Sequence, residues 1–433
     1  MNELHFVSAD EAVKAVKSGD HIHLSSVASV PHILIQALCR RADAGELENL
    51  HFHHFHTEGP APYSEERYKG IFFDQGFFVG PNVRANVNAG YADYLPVHLG
   101  ESQKLYRSGA LPCDVAMVQI SLPDKNGMVS LGTSVDCSLA AVEVAGTAIG
   151  VVNKNVPFAY GDLVPIDRFD FLVEDDTPLV TANFAEPTPT EMLIGKNCAE
   201  LVPDGACIQM GIGALPNALA AQLTSHKNLG VHTEMFANGI LRLIKMGVVN
   251  GAAKEIDRGK VVASFLLGSN DVYNFIDHNP DVLMKDIKYT NDPWVISRLS
   301  HMMAINSATE VDLTGQISAD SIGTRIFSGT GGQLDFVKGA TMAPGGKSIT
   351  AFASRTNKGQ AKIVPLLNPG AGVVTPRADA HWVVTEYGAV DLYGHSLQER
   401  AKLLTSIAHP DDREMLEKAA FERFGPHIHF VKL

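Results

Sequence analysis

The sequence is poor in several things, and each shortage excludes a class of protein. Cysteine occurs only five times in 433 residues, an odd number, and no two cysteines form a CxxC pair. Cys39, Cys113, Cys137, Cys198 and Cys207 therefore read as reduced packing thiols and not as a disulfide framework. Basic residues are short: 35 Lys plus Arg face 48 Asp plus Glu, a formal charge of −13. A general nucleic-acid binder needs a basic face, so that class is set aside. An anionic small ligand is not, because one basic pocket on an acidic protein suffices. No apolar run approaches the ~18 residues of a membrane span. The opening MNELHFVSAD has no basic start and apolar core of the secretory kind. The expectation is a cytoplasmic protein with no membrane contact.

What remains is 45% hydrophobic residues with 38 Gly and 22 Pro, the profile of a folded α/β protein. At ~150 residues per domain, the length suggests two or three domains.

The first helix has capping-box spacing at Ser8 and Glu11, apolar Ala12, Val13 and Val16, and Gly19 as a stop. A strand at 21–24, a loop of small residues, Pro31 and an apolar helical run from Ile33 to Leu38 follow. The same order returns later: a strand at 206–210, the loop Gly211-Ile212-Gly213-Ala214-Leu215, Pro216, and a helix through Leu223. Pro31 and Pro216 are 185 residues apart, as are Leu38 and Leu223. This reads as a weak internal repeat, hence two similar open α/β domains with mainly parallel sheets, 1–186 and 187–433. The turn-rich stretch Glu186–Thr190 marks the boundary. Further strands are expected at 116–120, 148–152, 260–267, 301–311, 348–352 and 381–384. Helices are expected at 139–144, 397–406 and 412–424.

Four segments carry chemistry. Gly211 to Leu215 place small residues between a buried strand and a helix, so backbone amides reach a ligand and the helix start meets an anion. The loop is not GxGxxG and has no Walker lysine. His232-Thr233-Glu234-Met235-Phe236 ends a short strand, where parallel α/β sheets place ligands. Ser328-Gly329-Thr330-Gly331-Gly332 is glycine-rich enough to expose an amide nest. Thr385-Glu386 repeats the Thr-Glu pair at the end of another strand.

A rival signal is His51, His53, His54 and His56, four imidazoles in six residues. Two such pairs begin a metal site in some hydrolases. No HExxH or carboxylate-rich companion follows, and the alternative is a wall or interface strand.

Taken together, GIGALPNALAAQL, HTEMFANG, SGTGGQLDF, VVTEYGAVDL and AHPDDR resemble the acetyl-CoA hydrolase/transferase family, the class I CoA-transferases. NGMVSLGTSVD (Asn126–Asp136) matches more loosely. Within the family the motifs look most like the members acting on 4-hydroxybutyrate and on butyryl-CoA with acetate.

The resemblance implies roles. Glu234 falls where the family carries its covalent glutamate. Gly211, Ile212, Gly213, Ala214 and Leu215 fall on the CoA-binding loop, with an amide near Leu215 facing an oxyanion. Gly332, beside Gly331, falls on the glycine that serves the thioester carbonyl. Asn291 matches a substrate-side asparagine. Lys358 is the candidate for the CoA phosphates, and Glu386 either anchors its loop or shapes the acyl pocket. The active cleft is expected between the domains, with Glu234 on the second, in a homodimer. The partners are acyl-CoA and short-chain carboxylic acids. No metal and no cofactor are expected, CoA being a substrate. An acyl-CoA hydrolase, a metal-dependent hydrolase and a non-enzymatic acyl-CoA sensor stay open beside the transferase.

Overall fold

A computed structural model describes residues 4–183 and 185–425. The chain forms two compact units that are not consecutive in sequence. The first is Met1–Asn183 with Glu234–Phe236 and Lys260–Asn291. The second is Phe184–Thr233, Ala237–Gly259 and Asp292–Leu433. A single boundary after residue 186 thus captures only the first crossing of the chain, and Glu234 belongs to the first unit. The physical reason is backbone pairing. The Glu234 carbonyl accepts from the amides of Ser264 (3.0 Å) and Phe265 (2.9 Å), and Met235–Phe236 pairs in parallel with Phe265–Leu266.

The first unit is built on a seven-stranded parallel sheet. Its order is Phe171–Asp175, Thr147–Asn153, Val115–Ile120, His21–Leu24, Leu50–His53, Phe72–Gly76 and Asp93–Tyr94. The strand Val115–Ile120 is buried at every position, as a strand covered on both faces must be. The first strand lies inside the sheet. The chain adds strands on one side of it, then returns to add the rest on the other.

The second unit repeats this plan. Cys207–Met210 lies inside, Gly230–His232 pairs on one side, and Met302–Asn306, Lys347–Ala351 and Trp382–Thr385 follow on the other, all parallel. Gly388–Asp391 closes that edge as an antiparallel hairpin. The repeat read from Pro31 and Pro216 is therefore a repeat of topology.

Several boundaries differ from expectation for local reasons. The run 260–267 breaks at Ser264 into Val261–Ala263 and Phe265–Leu266, and 301–311 splits into Met302–Asn306 and Glu310–Asp312. Thr188 caps a helix, Pro189–Ala199, in a full capping box with Glu191. The helix after the glycine loop is Ala214–Gln222, starting two residues before Pro216. Among the described residues no helix is long and apolar enough to cross a membrane. All five thiols are free, and four are buried.

Candidate active site

In each sheet the chain reverses direction beside the first strand, so the loops leaving the carboxyl ends of the two strands there run to opposite sides. Ligand crevices form at such points in parallel α/β sheets. In the first unit the point lies between His21–Leu24 and Val115–Ile120. The segment leaving His21–Leu24 there carries the buried hydroxyls Ser25, Ser26 and Ser29.

The segment carrying Glu234 is fixed at this place. Ser26 N donates to Ser134 Oγ (2.9 Å), and Ser134 bridges Phe265. The amides of Val135 and Asp136 donate to Ser264 O, and Leu266 N donates to Thr133 O. The Phe265 ring packs 4.8 Å from that of Phe55, just beyond the strand Leu50–His53. The last residues of the loosely matching motif Asn126–Asp136 thus hold the strand on which Glu234 hangs.

The Glu234 side chain is half-buried, and its Oε2 accepts from Asn291 Nδ2 at 2.9 Å. Asn291 is 1% exposed and ends the helix Ile287–Thr290. A carboxylate oriented by a buried amide and itself only partly buried suits a nucleophile. Fifty-seven residues separate the pair in sequence, and the structure brings the two residues together.

The other sequence-selected residues lie in the second unit, on the carboxyl-end edge of its sheet. Gly211 follows Cys207–Met210 directly, and a groove of about 320 Å³ opens there. Gly211, Ile212, Ala214 and Leu215 line it on one side, and Asn306 and Ser307 line it on the other. Gly213 has φ +113°, a conformation that suits glycine, and it caps the helix whose first amides are those of Ala214 and Leu215. A Cβ at Gly211 would meet no protein atom within 4 Å, so the fold itself does not demand a glycine there. The end of the neighbouring strand is tied in by Thr233 Oγ1, which donates to Met210 O (3.3 Å).

Gly331 has φ +55°, and Gly332 caps the helix Gln333–Met342. That helix leads back into Lys347–Ala351, so its N-terminus lies at the strands' carboxyl ends. The Phe336 ring, one turn in, is 6.3 Å from that of His232.

Glu386 is an anchor. It accepts from Ser354 N (2.9 Å) and Ser354 Oγ (2.6 Å), pinning the segment after Lys347–Ala351. The same segment is held by Arg355, which grips Asp412 through two nitrogens at 2.8 and 2.7 Å and reaches Asp411 at 3.2 Å. The AHPDDR motif therefore acts as a clasp. Lys358 sits exposed on the turn closed between Thr356 and Gln360.

The histidines are more deeply placed than a wall strand would require. His53, His54 and His56 are buried, and His54 Nε2 meets Asp74 Oδ1 at 2.7 Å. His21 stacks on His51 and His53, with ring centroids 4.5 and 5.1 Å apart. Burial and the neighbouring His21 push His53 down to about 3, so the His53 ring is uncharged near neutral pH. Among the described residues, His23, Asp136 and Cys137 form a group tight enough to hold a metal ion. The first two already have partners. His23 meets Tyr106 Oη and Ser138 Oγ, both at 2.9 Å, and Asp136 accepts from Ser134 and Ser138. This group reads as a hydrogen-bonded core network that steadies the residue 133–136 loop.

The structure thus holds two open α/β units, one presenting an oriented glutamate and the other a groove beside the loop that starts at Gly211. The chain belongs to the acetyl-CoA hydrolase/transferase family: the N-terminal domain model matches residues 3–182 and the C-terminal domain model residues 268–420. Among curated relatives, succinyl-CoA:acetate/propanoyl-CoA:succinate CoA transferase of Fasciola hepatica is 42% identical, over 96% of this chain and 87% of its own. The 4-hydroxybutyrate coenzyme A transferase of Clostridium kluyveri is 40% identical, over 96% and 97%. Among solved structures, 4-hydroxybutyrate CoA-transferase from Porphyromonas gingivalis superposes with TM-score 0.83 at 36% identity, covering 97% and 98%. RipA from Yersinia pestis gives 0.89 at 33%, covering 97% of each chain.

Proposed function

We propose that the protein transfers CoA between short-chain carboxylates through a thioester on Glu234. The observation that carries this reading is the oriented Glu234 carboxylate held by Asn291. The Glu234 oxygen attacks the acyl-CoA carbonyl, forming a mixed anhydride and expelling CoA as thiolate. The thiolate attacks the glutamyl carbonyl, giving glutamyl-CoA and the first carboxylate. The acceptor carboxylate runs the same steps in reverse. Each tetrahedral intermediate carries an oxyanion, and the amides of Leu215 and Gly332 are our candidates to receive it. Gly211 to Leu215 would receive CoA, whose long arm supplies binding remote from the reacting sulfur. Electron flow in this route starts and ends on carboxylate and thiolate, so it calls for no metal or redox cofactor.

Our preferred pair is acetyl-CoA with 4-hydroxybutyrate; butyryl-CoA or propionyl-CoA with acetate comes next. Support comes from the relatives' names, which include 4-hydroxybutyrate and butyrate enzymes at 35–40% identity. Those named acetyl-CoA hydrolases are more distant, at 24–26%. Acetyl-CoA mixed with enzyme alone should release one equivalent of acetate and leave CoA on the peptide containing Glu234. Borohydride should then inactivate that enzyme and spare enzyme never exposed to acyl-CoA. Continuous acetate release without an acceptor would replace transfer with hydrolysis. A panel of 4-hydroxybutyrate, butyrate, propionate and succinate as acceptors orders the substrates.

A further inference from the structure

The helix that delivers Asn291 is short, and its base is a buried carboxylate. Asp286, 7% exposed, caps Ile287–Thr290: its Oδ1 accepts from Lys288 N at 2.8 Å. Its carbonyl accepts from the amides of Tyr289 (2.9 Å) and Thr290 (3.2 Å) and from Thr290 Oγ1 (3.0 Å). Its own amide donates to Asp162 Oδ2 (2.8 Å), whose other oxygen holds Lys285 Nζ at 2.7 Å. One turn later Asn291 N donates to Ile287 O (3.0 Å), and its side chain reaches Glu234.

A four-residue helix has little stability of its own. Its position must come from what grips its ends. At the Asp286 end the backbone is held by Asp162 and by Asp136 O, and the side chain by Arg107, the last residue of the helix Leu99–Arg107. Arg107 Nη2 lies 2.6 Å from Asp286 Oδ2 and 2.7 Å from Glu143 Oε2, and Arg107 Nη1 donates to Gln103 Oε1 at 2.8 Å. One guanidinium thus ties three side chains. Burial pushes the Asp286 carboxyl up, and the Lys288 amide and Arg107 pull it back. Without Arg107 the carboxylate would keep only the Lys288 amide against burial and Asp162, so its hold on the helix would loosen.

We infer that the Arg107–Asp286 pair sets the position of Asn291 and, through it, the aim of the Glu234 carboxylate. Both act as positioning residues, through Asn291. The inference rests on Glu234 being the nucleophile. It goes beyond that reading by assigning part of the catalytic rate to a pair outside every motif noted in the sequence.

The test is a double-mutant cycle on the full-length enzyme, with kcat, KM and Tm measured for each variant. Arg107→Ala should lower kcat roughly tenfold, the scale of a misaimed reacting group. KM for acetyl-CoA should change less than about twofold, since ground-state binding is not what the pair serves. Arg107→Lys should recover part of the loss. In an Asn291→Ala background, Arg107→Ala should cost almost nothing more in kcat. Asp286→Asn keeps the cap acceptor and removes the charge. It should show the same kcat loss and the same dependence on Asn291, and it serves if Arg107→Ala does not fold. Additive losses, or a kcat change that appears only with a matching rise in KM, would overturn the inference while Glu234→Ala stays inactive. Full activity in Glu234→Ala would instead remove the nucleophile reading, and this inference with it.

Discussion

Asn291 Nδ2 and Glu234 Oε2 stand 2.9 Å apart, and each is the residue at which the chain passes between the two units. Glu234 opens the short insert that the first unit takes from the middle of the sequence. Asn291 closes the longer one. The hydrogen bond therefore joins the ends of two segments that sequence order keeps apart.

Replacing Glu234 by Ala should leave less than about 1% of the transfer rate, since losing a nucleophile costs several powers of ten. The backbone contacts of Glu234 run through its carbonyl to Ser264 and Phe265, so the variant should stay folded. Circular dichroism and a coupled CoA assay check both halves. A variant retaining a tenth of the wild-type rate would remove Glu234 from the mechanism.

The two glycine loops should fail in different ways. Gly211→Ala puts a methyl group into open space, so Tm should hold while KM for acyl-CoA rises on the order of tenfold, about 1.4 kcal/mol. Gly332 has φ −94°, which any residue adopts, but it is buried, so circular dichroism must first show that Gly332→Val is folded. Its kcat should drop roughly a hundredfold, the scale of one lost oxyanion donor. Normal kcat in that variant would leave the loop as a turn and nothing more.

Arg355 ties the segment after Lys347–Ala351 to Asp411 and Asp412, and it is a quarter exposed. Arg355→Ala should lower Tm measurably, since the pair is partly solvated but has good bidentate geometry. Asp411→Asn should do much less, because Asp411 is 70% exposed and makes the longer contact. Thermal melts of the two variants separate these outcomes.

Acid should weaken the first unit through its histidines. Burial, with the neighbouring His53 and His54 adding to it, pushes His23 down to about 3, and His53 is pushed to about 3 as well. Unfolded, each takes a proton near 6.5. Between those values the unfolded chain binds more protons, so stability is full above pH 6.5 and falls as pH drops toward 3. The expected slope is about 1.4 kcal/mol per pH unit for each ring. Urea midpoints at several pH values measure it, and His53→Asn should flatten the curve. An unchanged slope would mean that the rings already charge in the fold.

The repeat was legible because strand, glycine-rich loop and helix leave a local pattern, and the pattern returns 185 residues later at Pro216. The helix after the loop was legible too, apart from its start. Proline at the third helical position leaves Ala214 and Leu215 outside a reading that begins at Pro216. Glu234 stood out by its place after a strand. Its true neighbours did not, because Ser264 and Phe265 interrupt what reads as one apolar run, and only the turn of the chain toward Glu234 explains the break. Arg107 and Asp286 carry no motif at all. A partly buried ion pair between residues 179 positions apart leaves no trace in a single sequence.

The first unit's three-part make-up also sets a timetable. As the chain emerges from the ribosome, residues up to 183 contain a complete seven-stranded sheet, yet the place for Phe265 beside Phe55 is unfilled and Arg107 lacks Asp286. Both wait until residue 291 has been made. A nascent chain shorter than this lacks the Asn291 side chain that holds Glu234, so that contact arrives only once 291 of the 433 residues have been made.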